Sequence, residues 1–158
     1  MSLADIREQI KAILAGVEGI GVVHDYERLA NDWNKIIDFY KDPAGRINGC
    51  AFAREKWQER QQTIGETEIA HIFAFRRFMA LKDDEATGII FDDHLEDLRV
   101  AFRTNKTLNG TCLTIDPDWG PMDGAVGLQG DAIEPRMFGG ALCHFAECRL
   151  CAIVAEAN

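Results

Sequence analysis

At 158 residues, 47% hydrophobic and 27% charged, the chain has the make-up of one folded domain large enough for a real core. A formal net charge of −9 argues against a general nucleic-acid binder, which needs concentrated positive surface, although acidic walls suit work beside DNA by keeping it from sticking. No stretch reaches the roughly 18 apolar residues of a membrane-spanning helix, Met1 to Leu14 carries too many charges for a signal peptide, and the five cysteines, odd in number and crowded late, fit reduced thiols in a cytosolic compartment.

Leu3, Ile6, Ile10, Ile13, Leu14 and Val17 repeat at helical spacing behind Ser2, which predicts a capped helix over 3–15 closed by Gly16. Residues 19–23 read as a short strand whose glycines form no phosphate-binding fingerprint. Tyr26, Leu29, Trp33, Ile36, Ile37 and Tyr40 can share a face, with Asn31 or Asp32 as the cap of a short helix over 33–40. Asp42-Pro43-Ala44-Gly45 then turns the chain.

Residues 47–81 predict one long antiparallel hairpin, its arms separated by a turn-like segment over 61–65. In the second arm Ile69, His71, Phe73, Phe75, Arg77, Met79 and Leu81 share one side, and Ala70, Ile72, Ala74, Arg76, Phe78 and Ala80 share the other. Apolar side chains on both sides do not suit a strand with one face in water. Arms of about 14 residues, or roughly 45 Å, are long for a domain with a radius of gyration of about 15 Å, so part of the ribbon is expected to project or to lie across a neighbouring chain.

Asp83-Asp84-Glu85 opens a second long helix, over 86–104, marked by Phe91, Leu95, Leu98 and Phe102. Its acidic first half, including Asp92, Asp93, Glu96 and Asp97, reads as a solvated face. Short strands are predicted over 111–115 and within 126–134, joined by an exposed loop over 116–125, before a closing strand over 141–154 and a tail over 155–158. The sum is an α+β fold in which two helices pack on an antiparallel or mixed sheet containing the long β-hairpin, in a single domain.

Catalytic patterns are sparse. His24, His71, His94 and His144 show no metal-ligand spacing, and His94 among Asp92, Asp93 and Asp97 reads as a helix surface. Cys143-His144 and Cys148-x-x-Cys151 lie in a strand, where odd separation sends Cys148 and Cys151 to opposite faces, so packed thiols are expected. Asp83-Asp84, Asp92-Asp93 and Asp116 with Asp118 come with no predicted cleft. Ser2 is the only serine, which leaves no nucleophile elbow. The chain therefore reads as no enzyme, with no catalytic, cofactor or metal residues; a cytosolic small-molecule-binding or enzymatic α+β protein with a Cys/His-lined site near Cys143 is the alternative.

Arg54, Lys56, Trp57 and Arg60, with Arg76 and Arg77 on the returning arm, stand out as self-association candidates, because tryptophan and arginine amid mixed charge are interface chemistry. Cross-strand pairing within one subunit accounts for the same residues equally.

Leu3-x-x-Ile6-Arg7-x-x-Ile10-x-x-Ile13-Leu14, then Gly19-Ile20-Gly21-Val22-Val23-His24-Asp25-Tyr26-Glu27-Arg28, the hairpin, the second helix and the run from Arg136 to Leu150 together resemble tail terminator or tail completion (head-tail joining) proteins of tailed phages and prophages. That resemblance implies a structural α/β subunit forming a homo-oligomeric ring, possibly a hexamer, that ends the tail tube and meets the head connector. It also implies no catalytic residues or cofactor, the tail-tube and head-connector proteins as partners, no membrane or specific nucleic-acid binding, and a place in the host cytoplasm during assembly and then in the tail or neck of the virion.

Overall fold

The computed structural model describes residues 1–28 and 32–157. The chain runs α1 (Leu3–Ala15), β1 (Val22–His24), α2 (Trp33–Phe39), β2 (Asn48–Thr63), β3 (Glu66–Ala80), a short 3-10 turn (Asp83–Glu85), α3 (Thr87–Arg103), β4 (Gln129–Phe138) and β5 (Ala141–Ala157). The five strands form one mixed sheet in the order β1-β2-β3-β5-β4, parallel only between β1 and β2. This is the expected α+β arrangement with its long hairpin.

The start of α1 follows from its first residues. The Asp5 amide donates to Ser2 Oγ at 3.1 Å and the Ser2 amide to the Asp5 carboxylate at 3.0 Å, a reciprocal cap contributing about 1 kcal/mol. Asp32 caps α2 through the Asn34 amide at 2.9 Å; Leu29, Asn31 and the side chain of Trp33 lie outside the described residues. In β1, His24 Nε2–H donates to the Phe39 carbonyl at 2.6 Å and holds α2 beside the sheet.

β3 is the central strand, which explains its two apolar sides. Ile69, Phe73 and Phe75 meet Ile6, Ile10 and Leu14 of α1 and Leu98 and Phe102 of α3 on one face. On the opposite face Phe78 packs with Tyr40, Ile47 and Phe145 beneath α2, while Ala70 and Ile72 pack with Cys151, Ile153 and Trp119. Between those two covers lies a charged belt: Arg149 pairs with Glu55, Asp131 and Glu147, and Arg76 with Glu27 and Glu147.

Several expectations need correction. β5 pairs with β3 along its whole length, from Glu66↔Ala157 to Ala80↔Cys143, so the hairpin does not project as a two-stranded ribbon and 155–157 is strand rather than tail. The strands also close further than expected, over a turn of Ile64 and Gly65 alone. Residues 111–115 are not a strand: left-handed backbone at Leu108, Asn109 and Gly110 coils the chain there, and only Thr114 bridges to Ile153. The loop over 116–125 is less exposed than its composition suggests, because Trp119 folds onto the sheet at 7% exposure.

Candidate functional site

The pairing pattern leaves two sheet edges open, on opposite sides of the subunit. β1 pairs with β2 only from Gly49 to Ala51, so residues 52–63 of β2 have no strand outside them. At the other side, β4 pairs with β5 alone. Unpaired edges present rows of backbone donors and acceptors, and single-chain proteins usually blunt them. Pro135 in β4 is one such blunting residue, with its ring nitrogen unable to donate outward.

Each edge carries apolar side chains in water. On β2, Trp57 is 57% exposed, with the Arg54 guanidinium 4.8 Å above its ring. On β4, Ile133 is 62% and Met137 66% exposed. Beside β4 runs a groove whose other wall is α3. Its central section, about 410 Å³, is lined by Leu95, Leu128, Ile133, Asp92, Asp93 and Arg99. It continues past Phe91 and Pro135 in one direction and past Arg103 and Val126 in the other. Gly130 deepens it, since nothing lies within 4 Å of where a side chain there would stand.

The six self-association candidates separate in the structure. Arg54, Lys56 and Trp57 share the open edge of β2. Arg60 stacks on Trp119 at 4.6 Å and pairs with Glu68 at 2.8 Å and Asp118 at 3.7 Å, holding the 116–125 loop to its own subunit. Arg76 belongs to the charged belt. Arg77 is not a surface residue at all: at 1% exposure its guanidinium donates to the carbonyls of Gly49, Phe78 and Gly19, faces His94 Nδ1 at 3.2 Å, and meets no carboxylate. Burial pushes it down to about 10.

In sequence alone Asp92 and Asp93 belong to a plain solvated face, and Ile133 and Met137 carry no interface signature of residue type. The available signal was their alternation with Glu134 and Arg136, which places two apolar residues on one side of a strand.

In comparisons with known proteins, no family model matches this chain and no curated protein matches it.

The thiols and imidazoles do not converge on a reaction centre. Cys143 and His144 occupy opposite faces of β5, and His144 Nε2 lies 2.8 Å from Thr87 Oγ. Burial pushes the thiols of Cys50, Cys112 and Cys151 up to about 12 and that of Cys148 to about 11, which keeps them protonated and poorly nucleophilic. Among the described residues no group of three or more His, Cys, Asp or Glu side chains could hold a metal, and no helix is long and apolar enough to cross a membrane.

The histidines instead couple folding to pH. Burial lowers His94, with Arg77 adding to the effect against Asp97, Asp93 and Glu18; burial also lowers His71, helped by Arg54, and His144. Each folded-state value lies below the unfolded one, so the stability these groups contribute is present above the unfolded histidine value of about 6.5 and is lost as pH falls below it. The urea midpoint is expected to drop between pH 7 and pH 5, and His94→Gln should flatten that drop. An unchanged slope in the variant would remove His94 from the account.

Proposed function

We propose that this protein is a structural subunit of a tailed phage or prophage that assembles into a ring, closes the end of the tail tube and joins it to the head connector. The observation that carries this reading is the pair of open sheet edges on opposite sides of one subunit. Two different patches that complement each other make a head-to-tail contact, and such contacts close into rings when the rotation allows. A contact using one patch twice would instead give a dimer. The resemblance of the α1 stripe, the Gly19–Arg28 run, the hairpin and the β4–β5 sequence to tail terminator proteins supports the same conclusion, and supplies the tail tube and head connector as partners.

The acidic balance fits this role. A net charge of −9 lets a ring stand around passing DNA without holding it. The reading assigns no chemistry to the protein, in keeping with protonated, buried thiols and scattered histidines. Its place would be the host cytoplasm during assembly and the neck of the finished particle.

Light scattering coupled to size exclusion, with negative-stain images of the eluted species, tests the proposal: rings of about six subunits are expected, alone or once purified tail tubes are added. A strict monomer at high micromolar concentration that also fails to cap tubes would sink it. Trp57→Ala should reduce assembly about tenfold or more while shifting the melting temperature by only a degree or two, because Trp57 is exposed in the subunit. Equal loss of both properties would instead make Trp57 part of the fold.

A further inference from the structure

We infer that the two open edges are halves of one interface: the outer half of β2 from a second copy adds antiparallel to β4 and seats its Trp57 in the groove between β4 and α3. This rests on the ring reading above and specifies the contact that closes it.

Direction follows from topology. β2 and β3, β3 and β5, and β5 and β4 are all antiparallel, so β4 runs opposite to β2. A copy placed beside β4 by a head-to-tail step, without being turned over, therefore offers β2 antiparallel to β4 and keeps the helix-covered face on the same side. Trp57 lies on that face, since it stands opposite His71 in the strand side that carries Phe73 and Phe75. Ile133, opposite Ala146 in the strand side that carries Cys148, lines the groove on the same face.

Charge then fixes the register. α3 runs antiparallel to β4, because Asp92 lies near Ile133 and Pro135 whereas Arg103 lies near Gln129. The incoming β2 thus runs parallel to α3. With Trp57 set against Ile133, Arg54 comes to the level of Asp92 and Asp93, and Glu59 to the level of Arg99 and Arg103. On the other face Lys56, opposite Ile72, comes to Glu134. Among the described residues, Arg54, Lys56, Glu59, Asp92, Asp93 and Arg103 make no salt bridge inside the subunit, although most other charged side chains near the sheet do. Unpaired charges of opposite sign, in matching order along two exposed apolar edges, are what a head-to-tail contact between those edges requires.

The test uses full-length protein. Arg54→Glu alone, and Asp92→Lys with Asp93→Lys in a second protein, should each weaken self-association about tenfold or more, while an equimolar mixture recovers it because each repelled pair becomes an attractive one. A Gln58→Cys protein mixed with an Ala132→Cys protein should cross-link through a short bis-maleimide to a covalent dimer, the five native thiols being buried. Charge variants that assemble like the parent, or the absence of the 58–132 cross-link at high micromolar protein, would overturn the interface. Rings that cap tail tubes without that cross-link would overturn the interface and leave the ring reading standing. A cross-linked assembly that never caps tubes would do the reverse.

Discussion

Arg77→Ala is expected to lower the free energy of unfolding by about 3–5 kcal/mol. The guanidinium ties three segments together. It reaches the Gly19 carbonyl ahead of β1, the Gly49 carbonyl in β2, and the Phe78 carbonyl in β3, at 3.3, 3.2 and 2.5 Å. Its carbon also sits 5.6 Å from the centre of the Phe91 ring in α3. Truncation takes a donor from three carbonyls, of which that of Gly19 keeps the Asn48 side-chain amide at 3.0 Å, and opens a void among buried neighbours. Arg77→Met refills much of the void without restoring a donor, so it should recover only part of the loss. Urea unfolding of the three proteins measures this; a loss below about 1 kcal/mol in the alanine variant would mean that water replaces the guanidinium at little cost.

Gly21→Ala should cost about 3 kcal/mol or more, and the comparison that makes it informative is Gly65→Ala. Both glycines have left-handed backbone, with φ of +75° and +95°. Adopting that conformation costs an alanine roughly 1–2 kcal/mol. At Gly65, in the hairpin turn, nothing lies within 4 Å of an added methyl, so the conformational cost is all that is expected. At Gly21 the methyl would fall inside van der Waals contact of the Asn48 backbone carbonyl, which cannot rotate away. Relief requires moving β1 off β2, and with it the parallel pairs Val22↔Gly49 to His24↔Ala51. Equal losses at the two positions would show that β1 shifts freely.

How much of this was legible in the sequence depends on the physical signal at each place. The stripes from Ile6 to Leu14 and from Phe91 to Phe102 bury against one partner each, so periodicity located α1 and α3 to within a residue or so. Period two also separated the faces of β3, and it placed Arg77 with Phe73, Phe75 and Met79 on one of two apolar sides. Charge made Arg77 look like a surface residue, and alternation could not decide the matter because both sides of β3 are apolar. Residues 155–157 show no strong strand preference and are extended because Glu66, Thr67 and Glu68 offer them an edge, a tertiary cause that local sequence does not carry. Thr114 and its neighbours present the opposite case, a run that suits a strand but is coiled by the turn before it. The candidate interface was half visible: Trp57 and Arg54 announced themselves by residue type, whereas the α3–β4 groove exists only after residues some 40 apart in sequence come together.

The shortness of β1 has a mechanical consequence. Across the sheet, Ile133 stands in line with Ala146, Arg77 and Cys50, at the level where β1 occupies the outer side of β2. In the interface proposed above, a neighbour's β4 could not dock there and would have to slide toward the hairpin turn. The slide from Cys50 to Trp57, less the bulge residue between Arg54 and Lys56, is about six residues, or roughly 20 Å. One subunit step in that assembly would span four strand spacings, roughly 19 Å. Equal sideways and lengthwise displacements incline the strands by about 45° to the direction of the chain of subunits, at the upper end of the range found in closed barrels. In the proposed interface the three residues of β1 would thus act as a doorstop, setting the pitch at which copies meet. In the proposed assembly, a version of this protein with β1 extended by one turn of the pleat would lengthen the slide, narrow that angle and change the number of copies needed to close the circle.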